Sequence, residues 1–290
     1  MPLHGFLNID KPAGMTSHDA VAKVRRLAGQ KRVGHGGTLD PLATGILPIA
    51  LGEATKLVSY LVDGRKAYQA TVRLGITTTT DDAEGVVRDE RPVPQLTTAA
   101  IEAALQPFIG SIAQVPPMYS AIQVGGQRLY DLARRGETVD LAPRPVEIHS
   151  ITLRAWHPPE LVLDVVCGKG TYIRSLARDL GAALGCGAHL AGLRRTQVGP
   201  LALATAVPLT DLIAEPDQLK QHILPPETAI AEWPRVDVDA AMAQRIRHGL
   251  AVQLASAGEY TRVHGPDGLL LALVRRAGTG WQPFRVFSWA

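Results

Sequence analysis

Residues 34–45, GHGGTLDPLATG, hold four glycines, one histidine and one carboxylate. Glycine loses the most backbone entropy on folding and adds nothing to a core. A cluster of it belongs where the chain takes unusual dihedrals or runs close to a ligand. Asp40 is the one ionisable carboxylate of the run, and Pro41 fixes the backbone directly after it. A carboxylate presented in this way can take a proton, attack carbon or stabilise a cation forming beside it. Two readings fit the run alone. It is either a rigid loop offering Asp40 and His35 to a substrate, or a tight turn joining a helix to a strand.

The flanking segments supply the frame for such a loop. Residues 5–9 read as a short strand. Thr16 and Asp19 stand at capping-box spacing and open a helix with Val21, Val24 and Leu27 on one face, ended by Gly29. Residues 46–51 are apolar and predict burial, and 53–61 predict a helix. Along 66–74, Tyr68, Ala70, Val72 and Leu74 share one face while Gln69, Thr71 and Arg73 share the other, the pattern of a half-buried strand. That register puts Tyr68 on the apolar side, the place of an ordinary core tyrosine. Residues 97–112 and 171–184 predict helices, and 146–156 and 161–167 predict neighbouring strands.

Between them, residues 116–145 carry prolines at both ends, Gly125-Gly126, and the arginines Arg128, Arg134, Arg135 and Arg144. A short helix over 128–135 would set Arg128 and Arg135 near one face. Prolines at 225, 226 and 234 mark a connection. Beyond it, 239–248 reads as a helix, and short strands alternating with glycine turns predict a small β-barrel-like module.

The composition is that of an ordinary globular chain: 290 residues, 46% hydrophobic and 20% charged, with 21 prolines and 28 glycines arguing for strands and turns over a helical bundle. The net charge is only +3, but residues 1–35 hold six basic side chains against Asp10 and Asp19, an excess able to attract phosphates or simply to solvate a helix. Cys167 and Cys186 form no Cys-x-x-Cys pair and no zinc spacing, as expected of two reduced thiols in a cytoplasmic protein. No targeting leader or bilayer-length apolar run is evident, so a soluble protein without membrane contact is expected. The run Gly168-Lys169-Gly170-Thr171 lacks P-loop spacing.

Four segments, in order, resemble the motifs of the TruB family, the bacterial tRNA pseudouridine-55 synthases: Lys11-Pro12-Ala13-Gly14-Met15-Thr16-Ser17; the run GHGGTLDPLATGILPIALGEATKL at 34–57; Lys66-Ala67-Tyr68; and Lys169-Gly170-Thr171-Tyr172-Ile173-Arg174-Ser175-Leu176. The resemblance is firm over residues 5–200 and looser beyond. It implies an α+β fold, a catalytic domain over 1–230 around a mainly antiparallel sheet, and a small PUA-like β-barrel RNA-binding module over 231–290. Residues 116–145 would be the insertion that grips the RNA loop. It also implies isomerisation of uridine 55 in the TΨC loop of tRNA, with no cofactor and no metal. No obligate protein partner and a monomeric state are expected.

Residue by residue, the resemblance makes Asp40 the catalytic aspartate and Tyr68 the ring that stacks on the uracil. Arg174 becomes the guanidinium that pairs with the aspartate and lowers its pKa against the effect of burial. Tyr172 and Leu193 match pocket positions, and His35 matches the histidine that fills the gap left by the everted base. Lys11 and Lys56 are candidate phosphate contacts. Relatives often carry a further acid where this chain reads Thr79, while Asp82 keeps an acidic position. Whether the aspartate acts by charge, as nucleophile or as base stays open. So do a non-catalytic RNA chaperone, a guide-directed sibling and an N-glycosidase as competing readings.

Overall fold

A computed structural model describes residues 2–120, 123–129, 132, 135, 137 and 139–289. The chain begins with β1 (Gly5–Lys11), α1 (Ser17–Leu27), β2 (Val33–His35), β3 (Thr44–Leu51), α2 (Val58–Asp63) and β4 (Lys66–Leu74). The hairpin β5 (Ile76–Thr78) and β6 (Val87–Glu90), α3 (Thr98–Leu105) and β7 (Gly110–Gln114) follow. A short ribbon, β8 (Gln123–Val124) and β9 (Gln127–Arg128), precedes the long pair β10 (Arg144–His157) and β11 (Glu160–Cys167), then α4 (Ile173–Ala183) and β12 (Ala188–Val198). After these come β13 (Leu201–Ala202), β14 (Val207–Pro208), α5 (Leu209–Ala214) and β15 (Ile223–Leu224). The C-terminal part is β16 (Arg235–Asp237), α6 (Ala240–Arg247), β17 (Tyr260–His264), β18 (Leu270–Ala277) and β19 (Gly280–Val286).

One 11-stranded sheet dominates, ordered β14-β1-β3-β12-β4-β11-β10-β7 with β2, β13 and β15 attached beside it. Its pairs are antiparallel except β1 with β14 and β3 with β12. The β3–β12 junction is brief, matching only Arg194 with Thr44 and Arg195 with Gly45. Gly45 has φ +97°, and a Cβ there would stand 2.2 Å from the Arg195 carbonyl oxygen. Only glycine lets β3 enter this close against β12. The glycine loop therefore opens onto the place where the two halves of the sheet meet.

The apolar face predicted for 66–74 is the core face of β4: Tyr68, Ala70, Val72 and Leu74 are buried, and they pack with α4 and with the inner face of β11. The capping box of Thr16 and Asp19 starts α1 as its spacing predicts. Three elements differ from expectation. Residues 53–61 split into a 3-10 turn (Gly52–Leu57) and α2. The helix expected over 97–112 stops at Leu105, because Pro107 ends the regular hydrogen-bonding and Gly110, at φ +99°, turns the chain into β7. Arg128 lies in β9 rather than in a helix, and most of the helix expected over 128–135 falls outside the described residues.

The C-terminal part has its own four-stranded sheet, ordered β16-β17-β18-β19, and its own core of Ala243, Ile246, Val263, Ala272, Val274 and Trp281. It is an open sheet with α6 against it; no closed barrel forms among the described residues, which corrects the barrel expectation. A further core joins it to the main sheet, bringing Leu270, Leu273 and Phe287 against Phe6, Ile46, Leu57 and Leu61. Among the described residues no helix is long and apolar enough to cross a membrane.

Candidate active site

Asp40 sits at the tip of the loop between β2 and β3, and that loop is fastened from several sides. The Ser17 hydroxyl, buried at the start of α1, accepts from Leu39 N–H at 2.8 Å and donates to Leu39 C=O at 3.1 Å. Gly14 N–H donates to Pro41 C=O at 2.9 Å, and Ala43 N–H to Asp40 C=O at 3.0 Å. Arg195, only 1% exposed, reaches in from β12 and donates to Ile46 C=O (2.8 Å), Thr38 C=O (3.2 Å) and Gly37 C=O (2.9 Å). One guanidinium thus satisfies carbonyls on both legs of the loop, a use of its fixed fork that lysine cannot copy. With the backbone held, the Asp40 side chain remains about one-third exposed, at 32%.

That side chain meets Arg174 edge-on. Arg174 Nε lies 3.0 Å from Asp40 Oδ2, and Nη2 donates to Oδ1 at 3.2 Å, the two-pronged geometry that fixes a carboxylate in orientation as well as charge. Arg174 is in the first turn of α4 and is itself buried. Its remaining donors reach Tyr119 C=O (2.8 Å) and Thr80 C=O (3.3 Å), and Nη1 lies 3.6 Å from the buried Asp82 carboxylate. Burial pushes the Asp40 carboxyl above its ordinary value. Arg174 pulls it back, while Asp82 across the same guanidinium raises it further. One arginine between two carboxylates only partly offsets desolvation, so the expected lowering by Arg174 is a restraint on an upward shift and not a net depression.

Tyr68 is buried on β4, opposite Arg195 in register, and burial raises its hydroxyl while Arg195 opposes the rise. Tyr172 caps α4; its N–H donates to the Gln114 side-chain oxygen at 2.8 Å, and its carbonyl accepts from the same amide at 3.0 Å. Leu193 is half-buried on β12, beside the β3 junction, where its carbonyl accepts from the Thr44 hydroxyl. Asp40, Arg174, Tyr68 and Tyr172 therefore gather around the β3–β12 junction from three separate stretches of chain: the glycine loop, β4 and the start of α4. His35 stands apart, at the end of β2, with its ring edge-on to His18 at 5.5 Å. Burial, His18 and Arg195 all lower its pKa, which favours a neutral ring.

The two lysines do other work. Lys11 is fully buried, and its ammonium donates to Pro12 C=O (2.9 Å), Met15 C=O (2.8 Å) and Pro41 C=O (3.5 Å). It ties the N-terminal motif to the residue after Asp40 and has no surface for a phosphate. Lys56 bonds Glu53 at 2.6 Å and Val286 C=O at 2.8 Å and lies over the Phe287 ring, so it fastens the C-terminal part. The N-terminal basic run is partly consumed in the same way, since Arg32 pairs with Glu53 and Arg25 bonds Val33 C=O. Arg195, Ser17 and Gln114 were not apparent from sequence. The pairing that sets Arg195 opposite Tyr68 is not written in the local sequence of either strand. Thr79, where an acid was expected, closes the β5–β6 hairpin by bonding Val86 through both its N–H and its hydroxyl.

Comparison with known proteins agrees with this arrangement. Residues 25–173 match the model of the TruB family pseudouridylate synthase N-terminal domain, 174–231 that of the tRNA pseudouridylate synthase B C-terminal domain, and 233–288 that of the tRNA pseudouridine synthase II C terminus. A tRNA pseudouridine synthase B of Thermobifida fusca is 46% identical over 98% of both chains. One of Xanthomonas campestris is 50% identical, covering 86% of this chain and 82% of that protein. Among solved structures, a Cbf5-Nop10-Gar1 complex contains a chain matched over 98% of this one and 85% of its own length, with TM-score 0.74 and 28% identity. An H/ACA RNP bound to a substrate RNA containing 2'-deoxyuridine contains another, with TM-score 0.73 and 26% identity. The sheet, the clamped aspartate and these matches together establish that the chain belongs to the TruB family of pseudouridylate synthases.

Proposed function

We propose that this chain converts uridine 55 in the TΨC loop of tRNA to pseudouridine, with Asp40 as the catalytic carboxylate. The observation that carries the reading is the Asp40 side chain, held in two places by Arg174 yet left about one-third open at the β3–β12 junction. In the reaction the bond from ribose C1′ to uracil N1 breaks, the base turns, and C5 bonds to C1′. The proton lost from C5 is balanced by one gained at N1, and no redox step occurs. Charge develops on the sugar as the base departs, and Asp40 acts on that side. Arg174 keeps it ionised and aimed. Tyr68 is the platform for the base, with Tyr172 and Leu193 completing the pocket, and the neutral ring of His35 takes the stacked position the everted uridine leaves.

The 231–290 module and the 116–145 insertion within the 1–230 catalytic domain supply further contacts to the RNA. The protein works as a cytoplasmic monomer on the free T-arm. The names of the relatives support tRNA over a guide-borne substrate. The test is incubation with an unmodified tRNA transcript and no guide RNA, followed by carbodiimide labelling and primer extension. Product is expected at a single T-loop uridine. Asp40→Asn should bind the transcript and yield none. A fully active Asp40→Asn, or an abasic sugar as product, would overturn the reading.

A further inference from the structure

Arg174 draws its support from two segments besides the glycine loop: the turn 80–82, through Thr80 C=O and Asp82, and the stretch after β7, through Tyr119 C=O. One helical turn further along α4 a second arginine grips the same two segments. Arg178 Nη1 lies 3.0 Å from Asp81 Oδ2, and its Nη2 donates to Val115 C=O at 2.9 Å. Its Nε bonds the neighbouring Asp179 at 2.8 Å. Ser175, on the same helix, also donates to Val115 C=O, at 2.8 Å.

The turn that Arg178 holds is unusual. Asp81 has φ +60°, the one non-glycine residue among those described in the left-handed region. That twist points the Thr80 carbonyl and the Asp82 carboxylate to the same Nη1 of Arg174. The backbone on both sides of Asp82 is pinned to β12, where Leu190 N–H donates to Asp81 C=O and Ala83 N–H donates to Leu190 C=O, both at 3.0 Å. Consecutive aspartates on the turn are thus matched to arginines four apart on the helix, the spacing that puts both on one face.

We infer that Arg178 and Asp81 are positioning residues for the reaction: together they lock the turn 80–82 and the segment 115–119 onto α4, so that the guanidinium of Arg174 has one place to stand and Asp40 one orientation. The inference rests on the proposed roles of Asp40 and Arg174. Neither Arg178 nor Asp81 touches Asp40, and both are partly open to solvent, so the competing account is a direct phosphate contact by Arg178.

Single-turnover rates and tRNA dissociation constants distinguish the two. Arg178→Met should slow the single-turnover rate by roughly ten- to a hundredfold, the loss a small misplacement at a reacting centre brings, with binding within about twofold of the parent. Arg178→Lys should recover part of the rate. Asp81→Gly relieves the positive φ, so it keeps the fold even if Arg178→Met does not, and it should show the same rate loss. The double variant should be no slower than the slower single.

The rate–pH curve gives a readout that folding alone would not move. The groups facing Asp40 are Arg174, Asp82, Lys11, Glu84, Tyr68 and Tyr172, and Arg178 is faced by Asp81 and Asp179. Loosening Arg174 should shift the acid side of the curve to higher pH in both variants. An unchanged rate in Asp81→Gly, or a loss confined to the dissociation constant, overturns the inference. An active Asp40→Asn would instead sink the reading beneath it.

Discussion

Asp40 illustrates how environment sets the value of one carboxylate. Desolvation holds its proton more tightly than in the unfolded chain, and one guanidinium shared with Asp82 does not cancel that. The reaction needs the ionised form, so the sign follows directly. As pH falls through the raised folded pKa, the active fraction is lost earlier than for an ordinary aspartate near about 3.9. The single-turnover rate should therefore rise with pH along an acid limb lying above the ordinary carboxylate range, and Arg174→Lys, which cannot bind both oxygens, should move that limb higher. Linkage gives the companion statement. A raised acid is a cost to stability that is absent below the unfolded pKa and fully present above the folded one. Keeping Asp40 ionised in this site therefore comes at the expense of the fold's stability. At the same scale, Arg195 is the buried charge whose removal should be felt most. Arg195→Met leaves the Gly37, Thr38 and Ile46 carbonyls without their donor and should cost about 2–4 kcal/mol in urea unfolding, with Arg195→Lys recovering only part.

At the scale of elements, the decisive contact is the short parallel junction of β3 with β12. Gly45→Ala would place a methyl 2.2 Å from the Arg195 carbonyl at a φ of +97°, and both the clash and the dihedral oppose it. We expect a loss of about 3 kcal/mol or more by urea unfolding. Gly168→Ala, whose nearest neighbour would be the Glu147 Cβ at 3.5 Å and whose φ is not positive, should stay within about 1 kcal/mol. The contrast explains what the sequence made legible. Periodicity found β4 and the core face of Tyr68 because alternation is a local property. The Thr16–Asp19 box was readable for the same reason. The junction was not, because it joins residues about 150 positions apart, and neither alternation nor spacing records which strand lies beside which. Register also decides that Arg195 points inward across from Tyr68, a fact invisible in the pair Arg194-Arg195. The overlong helix at 97–112 has a local cause: its apolar residues continue the helical period past Pro107 and into a strand. Lys11 and Lys56 resemble phosphate contacts in sequence, since a lysine's type says nothing about whether carbonyls will surround it.

At the scale of the whole molecule, the seam between the main sheet and the C-terminal part turns on Glu53. This buried carboxylate accepts from Arg32, from Lys56 at 2.6 Å and from Ser288 N–H at 3.1 Å, while the Lys56 ammonium also holds Val286 C=O. The three aromatic and aliphatic anchors Leu270, Leu273 and Phe287 bury themselves against the main sheet beside it. Burial raises the Glu53 carboxyl, but the hydrogen bonds from Lys56, Ser288 and Arg32 outweigh it and hold the group below its ordinary value. A depressed acid stabilises the fold above the unfolded pKa, and that contribution disappears as pH falls through the folded one. Acid should therefore loosen the seam before the rest of the fold. Glu53→Gln keeps the shape, removes the charge, and should cost about 1–3 kcal/mol at neutral pH but much less in acid. Hydrogen exchange should locate the effect: amides of β18 and β19 should gain exchange in the variant while those of β4 and β11 do not. Because Asp40 lies on the far end of β3 from this seam, the variant's chemical step on a saturating tRNA transcript should be unchanged, with any loss appearing in affinity. A slowed chemical step at saturation would mean that the seam, through β3, also sets the geometry of the aspartate.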